Sequence, residues 1–191
     1  MSALTTDIPQ RRRFTVDEYH RLQEVGILRE CDRTELINGE IIHMSPIGRR
    51  HAAVVARLDR HHQKLGERVF VWVQNPVVLD SHGEPEPDLA LLRPRTDDYE
   101  ERKPEPVDVH LMIEVGDSSL TYELNTKRRY YAEHGIPETW IVDAIRKVIH
   151  VCRDPRDGEY RDVQQVHGEA VLSPQAFTDF VATVREMIGA G

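Results

Sequence analysis

Residues 109–115 read VHLMIEV, an unbroken apolar run that carries a carboxylate, Glu114, near its far end. A run this apolar leaves no face for water, so it belongs in the middle of a sheet covered on both sides. Three strand-like runs precede it: VFVWV at 69–73, PVVLD at 76–80 and DLALLR at 88–93. Two follow, TWIVD at 139–143 and VIHVCR at 148–153, joined by a short polar turn. Helical signals lie between and around them. Thr15 and Glu18 have the spacing of a capping box, with Phe14 and Tyr19 placed as a hydrophobic staple and Gly26 as the stop. Val54, Val55, Leu58 and Leu65 recur at helical spacing between Gly48 and Gly66. Residues 119–134 return to a helical pattern closed by Gly135 and Pro137, and the tail 174–188 reads as a weakly patterned helix. RTELI and EIIHM flank Asn38-Gly39, the dipeptide suited to a two-residue hairpin turn. The order implies an α/β fold, a mixed β-sheet core flanked by helices, with an N-terminal helix and β-hairpin.

The chain has 191 residues, 39% hydrophobic and 30% charged, which suits one buried core. We expect a single domain over residues 14–191, preceded by a flexible arm, 1–13, that ends in Arg11-Arg12-Arg13. The net charge of −8 argues against a protein that coats polyanions without discrimination, so an anionic partner must meet a local basic patch. No window approaches the roughly 18 apolar residues of a membrane span, and the N-terminus has no signal-peptide pattern. A soluble, cytoplasmic protein is expected. Cys31 and Cys152 alone offer neither a disulfide framework nor a metal knuckle, and buried free thiols are the simple reading.

Phosphate-loop, dinucleotide, serine-hydrolase and zincin motifs are all absent. The ten His residues are scattered, without ligand spacing. What remains is acids at strand ends: Asp88, which opens an apolar strand after Pro87, and Glu114, which closes the central run. A carboxylate at the end of a buried strand is costly without a cation, and two on neighbouring strands can share a hard ion such as Mg²⁺. Either acid alone reads better as a strand end whose carboxylate reaches solvent. A lysine nearby can orient or deprotonate an attacking water, its own pKa lowered by the metal charge and by desolvation. Lys127 is the candidate; by spacing alone it reads better as an ordinary i,i+4 partner of Glu123, worth about 0.2–0.5 kcal/mol.

Taken in order, Glu35 in RTELINGEI, Pro46 and His51 before the amphipathic helix, Pro87-Asp88, Glu114-Val115, and Lys127 leading into YYAEHGIPETWIVD resemble the Uma-type family of restriction endonucleases. That family lies in the PD-(D/E)XK nuclease superfamily. The resemblance spans about residues 14–155 and implies a restriction-endonuclease-like fold. It implies that Asp88 and Glu114 bind a divalent metal, Mg²⁺ or Mn²⁺, with the Val115 carbonyl as a third oxygen and Glu35 as an additional acid. The superfamily's usual lysine position, two residues past the second acid, is Gly116 here, and the resemblance assigns the role to Lys127. A usual Asp and a usual Ser of the family are replaced by Glu123 and by Gly116-Asp117.

Phosphodiester hydrolysis fits these residues, because it needs a cation against the phosphate charge and an activated water. Arg49, Arg50, Arg57, Arg60, Lys64 and Arg68 against Asp59 and Glu67 give residues 49–68 a local positive excess. Arg49, Arg50, His51, Arg57 and Arg60 are therefore candidate contacts to duplex DNA, giving position rather than sequence choice; a solvated helix face is the plain alternative. A homodimer is expected by analogy, since cutting both strands calls for two sites. A different class is a nuclease-fold module that binds nucleic acid or protein without cutting, motivated by the displaced lysine. A carboxylate-pair glycosidase is disfavoured, because it has no need of Lys127 and aromatic content is only 6%.

Overall fold

In the computed structural model, which describes residues 11–29 and 31–190, Thr15 and Glu18 close the expected capping box on α1 (Val16–Glu24). Residues 1–10 of the expected arm lie outside the described residues; Arg11 and Arg13 reach Glu40 Oε1 and the Asn38 carbonyl at 3.3 and 2.7 Å. Asn38 and Gly39 both take positive φ, 53° and 77°, and join β1 (Thr34–Ile37) to β2 (Glu40–His43). Then comes α2 (Arg49–His62), which tightens into a 3₁₀ turn at Gln63–Arg68. The apolar stripe of α2 buries Val54, Val55 and Leu58, as its spacing requires.

The sheet begins with β3 (Phe70–Val73), β4 (Leu89–Leu92) and β5 (Val109–Gly116). A helical crossover follows: α3 (Leu120–Tyr122), a π turn at Glu123–Lys127 and α4 (Arg128–Glu133). β6 (Glu138–Asp143), β7 (Val148–Arg156) and β8 (Glu159–His167) complete a six-stranded sheet in sequence order. Every pairing is antiparallel except β5 with β6, the one that needs a crossover. β5 lies inside, with neighbours on both sides. β9 (Val171–Leu172) pairs with β10 (Ala182–Thr183), and α5 (Val184–Ile188) ends the described chain under its own Thr183–Glu186 capping box.

Three local expectations differ. Residues 76–80 do not join the sheet: Leu79 N–H bonds to the Gly83 carbonyl (2.9 Å) and Val77 N–H to that of Pro85 (3.0 Å), so the segment folds back on its own continuation. The tail helix shrinks to Val184–Ile188, because residues 174–180 turn where Pro174 and Phe177 accept 2.9 Å bonds from Phe177 and Phe180. Cys152 is buried, but Cys31 is exposed. No helix among the described residues is long and apolar enough to cross a membrane.

Side chains alternate across the sheet. Leu89, Leu111, Ile113 and Val115 join Val54, Leu58 and Trp140 in a core beneath α2 and α5. Ala90 and Met112 point the other way, into a core with Tyr130, Tyr131 and Ile37 from α4 and the hairpin. Parity therefore sends Asp88 and Glu114 to that second face.

Candidate functional site

The antiparallel register pairs Leu89 with Ile113, so Asp88 stands opposite Glu114 where β4 begins and β5 ends. The Val115 N–H donates to Asp88 Oδ2 at 2.8 Å and locks that juxtaposition. His51, at the start of α2, donates Nε2–H to Asp88 Oδ1 at 2.8 Å, and Gln74 Nε2 approaches the same oxygen at 3.2 Å. The hydrogen bond to Asp88 raises the His51 pKa against the opposing effect of burial.

Glu35 arrives from the hairpin. Leu36 and Glu84 exchange backbone bonds of 3.2 and 2.7 Å, and Tyr19 of α1 donates its hydroxyl to the Thr34 carbonyl at 2.8 Å. The Glu86 N–H then meets Glu35 Oε2 at 3.2 Å. From the crossover, Lys127 Nζ reaches Glu35 Oε2 at 2.9 Å and Glu114 Oε1 at 3.1 Å, but Glu123 Oε2 only at 4.0 Å. The π turn, in which the Arg128 N–H bonds to the Glu123 carbonyl, sets this geometry; such turns recur at functional sites. The i,i+4 partner favoured by spacing is thus the most distant of the three. Tyr131, one helical step beyond Lys127, donates its hydroxyl to Glu114 Oε1.

Glu35 and Glu114 are 2% exposed, Lys127 3% and Glu123 7%, so three carboxylates surround one ammonium out of water. Burial pushes Glu114 well above the usual carboxylate range, Lys127 pulling it back, and burial likewise raises Glu123. Burial opposes the charge on Lys127, yet Glu114 and then Glu35 overcome it and hold the ammonium well above an ordinary lysine. Among the chain's own groups, then, carboxylates set the direction of the shift and desolvation works against it. Glu123 Oε2 and the Tyr122 hydroxyl find no hydrogen-bond partner among the described residues.

One cavity of about 470 Å³ has Glu35, His51, Glu86, Asp88, Glu114, Val115, Glu123 and Lys127 in its wall, while Gln74 and Tyr131 stand behind that wall. Arg50 reaches its rim through Asp117, at 3.3 Å. Arg57 and Arg60 line a different cleft, and Arg49 lines neither. Sequence reasoning missed Tyr131, Glu86, Tyr122 and Gln74. Tyr131 carried a signal, four residues past Lys127 on the same helical face; Gln74 carried none. Among the described residues no three His, Cys, Asp or Glu side chains are grouped as a ready metal site.

A mixed sheet with acids at the adjoining ends of two antiparallel strands, and a helical crossover bringing a lysine over them, defines a restriction-endonuclease-like fold. The chain belongs to the Uma2 family, described as "Putative restriction endonuclease", whose model matches residues 16–185. The fold is similar to the crystal structure of a "putative nuclease belonging to DUF820" from Anabaena variabilis, with TM-score 0.70 and 15% identity over 92% of this chain and 97% of that one. No curated protein matches the chain. Family and fold together support a nuclease.

Proposed function

We propose that the chain is a metal-dependent endonuclease that hydrolyses phosphodiester bonds of DNA. The observation that carries the reading is the buried acid excess: Glu35, Glu114 and Glu123 against Lys127 alone, beside Asp88, with Glu123 Oε2 and the Tyr122 hydroxyl unpartnered. An uncompensated charge in such surroundings is strongly unfavourable. Hard oxygens in excess of positive charge suit Mg²⁺ or Mn²⁺, so the residues fit the group. Asp88, Glu114 and the Val115 carbonyl would hold it, with Glu35 as the additional acid. When bound, such a cation neutralises charge on the phosphate and supplies a water ionisable near neutral pH.

The remaining work falls to the chain. Lys127 directs its ammonium at the space beside Glu114, where it orients the attacking water and donates to developing charge. Tyr131 and Glu35 fix Glu114 and Lys127 in place. His51 and Gln74 aim Asp88, and His51, facing the cavity, also stands near an entering phosphate. Arg49, Arg50, Arg57 and Arg60 attract the backbone of duplex DNA. Cutting both strands takes two such sites, which a homodimer would provide.

Purified protein should nick supercoiled duplex DNA only with Mg²⁺ or Mn²⁺, and Asp88→Ala should reduce nicking to background. Unchanged nicking by that variant overturns the reading. One observation favours a second reading, a fold that binds nucleic acid or a protein without cutting: both Asp88 oxygens already accept bonds from protein donors. Calorimetric titration with either metal decides, since no binding heat together with no cleavage supports the binding module.

A further inference from the structure

We propose that the cleft between α2 and α5 is a second phosphate-binding subsite, which grips a nucleic-acid strand several nucleotides away from the cavity at Glu114. The cleft, about 430 Å³, has Arg57, Arg60, His61 and Lys64 on one wall and Phe180 and Glu186 on the other. The ion pairs of this region lie elsewhere, at Arg50–Asp117 and Arg68–Asp179. Arg57, Arg60 and Lys64 have no carboxylate partner among the described residues. Glu186, the one acid lining the cleft, is engaged at its Oε2 by the Thr183 N–H at 2.7 Å and the Thr183 hydroxyl at 3.0 Å, and it forms no ion pair with the cleft cations, although His61 and Lys64 lie near enough to help lower its pKa.

In a chain of net charge −8, unpaired cations gathered at one concave site are informative. Lys147 extends the cluster, sharing the Ile188 carbonyl with Arg57, each at 3.4 Å. Burial, and after it Arg57 and Arg50, hold the Lys147 pKa down, as a locally unbalanced positive field should. The cleft also has an aromatic surface, where the His61 and Phe180 rings lie 4.6 Å apart. Guanidinium forks and an ammonium suit phosphate oxygens, and a half-buried aromatic edge suits a base.

Position links the cleft to the cavity. Arg50 stands at the cavity rim and Arg60 in the cleft, ten residues on along α2. That is about 15 Å of helix, roughly four nucleotide steps of a strand at about 3.4 Å each. The identity of the ligand rests on the nucleic-acid reading of the site; the cationic cleft does not.

The test is fluorescence anisotropy with labelled single strands, a trinucleotide and a dodecanucleotide, with divalent metal chelated and salt varied. The intact wild-type protein should bind the longer strand at least about tenfold tighter, as several phosphates engage together. Arg60→Ala/Lys64→Ala should lose most of that gain, and its log–log salt slope should fall by about 1.4. Keeping a cation at position 64 in the Arg60→Ala/Lys64→Arg variant should recover part of the gain that the double alanine variant loses. Equal affinities and slopes in wild type and double variant overturn the proposal. So does saturable binding of inorganic phosphate in the cleft with no gain from strand length, which would make it a site for the free ion. Nicking assays run in parallel separate the two readings. A protein that never nicks but keeps length-dependent binding retains the subsite and loses the nuclease, whereas nicking with unchanged variant binding does the reverse.

Discussion

At Gly116 a side chain has no room: a Cβ built there would lie 2.7 Å from Leu120 Cα and 2.9 Å from Leu120 Cβ. The chain turns so sharply from β5 into α3 that position 116 is closed to any side chain, and Lys127 reaches the acids from the crossover. Its charge is integral to the fold. Lys127→Met keeps the length of the side chain but leaves Glu35 and Glu114 facing each other's charge, and should destabilise by about 3–5 kcal/mol in urea unfolding at neutral pH. A loss under about 1 kcal/mol would mean that the acids are not both ionised. His62 offers a separate readout, away from the site. Its Nδ1–H donates to the Leu58 carbonyl at 2.8 Å, while Nε2 is buried beside Trp140 with no hydrogen-bond partner among the described residues. Burial lowers its pKa to about 4. The unfolded chain, with a histidine near 6.5, takes up the proton first as pH falls. The stabilisation is thus complete above about pH 6.5, is lost on descent toward about pH 4, and amounts to about 3 kcal/mol over that window. His62→Phe should flatten this part of the stability profile; an unchanged slope would assign it to other groups.

Among the elements, the junction of β5 with α3 tolerates no side chain at Gly116. Gly116→Ala should lower stability by about 1–3 kcal/mol, because Leu120 backbone as well as side chain must move; urea unfolding measures it. The same junction explains what the sequence could disclose. Strand parity and apolar runs made Asp88 and Glu114 visible as acids on neighbouring strand ends, and Asn38-Gly39 disclosed the hairpin that delivers Glu35. Local spacing pointed Lys127 at Glu123, because i,i+4 geometry is all that a helix announces. The π turn and the approach of the hairpin, both tertiary outcomes, turned it to Glu35 and Glu114. β8 was hidden for another reason: EYRDVQQVH lies at the sheet edge and is mostly exposed, so no apolar run marks it. Asp157-Gly158, with φ of 51° and 76°, was its one available signal, the same type of turn as Asn38-Gly39. PVVLD misled in the opposite sense, since its apolar residues are buried by folding back rather than by sheet pairing.

Across the described residues, charge is sorted rather than dispersed: acids converge on the cavity at Glu114, and Arg57, Arg60 and Lys64, which have no carboxylate partner there, gather in the cleft beside α2. An overall −8 concealed both, because a sum over the chain carries no positions. The sorting also ties stability to ligand. Three buried carboxylates sharing one ammonium are a strained part of the folded state, and a cation that binds them there but not in the unfolded chain must raise the melting temperature by mass action. At a hundredfold excess over its dissociation constant, Mg²⁺ or Mn²⁺ should add about 2.7 kcal/mol, roughly 5–10 °C for a chain of this size. Glu114→Gln and Asp88→Asn should each remove most of that shift. Glu114→Gln should in addition melt no lower than wild type without metal, because it takes a charge out of a buried cluster that already has too many. Equal shifts in wild type and both variants would place any bound cation elsewhere on the acidic surface, and Asp88 and Glu114 would then be strand ends held by their protein partners alone.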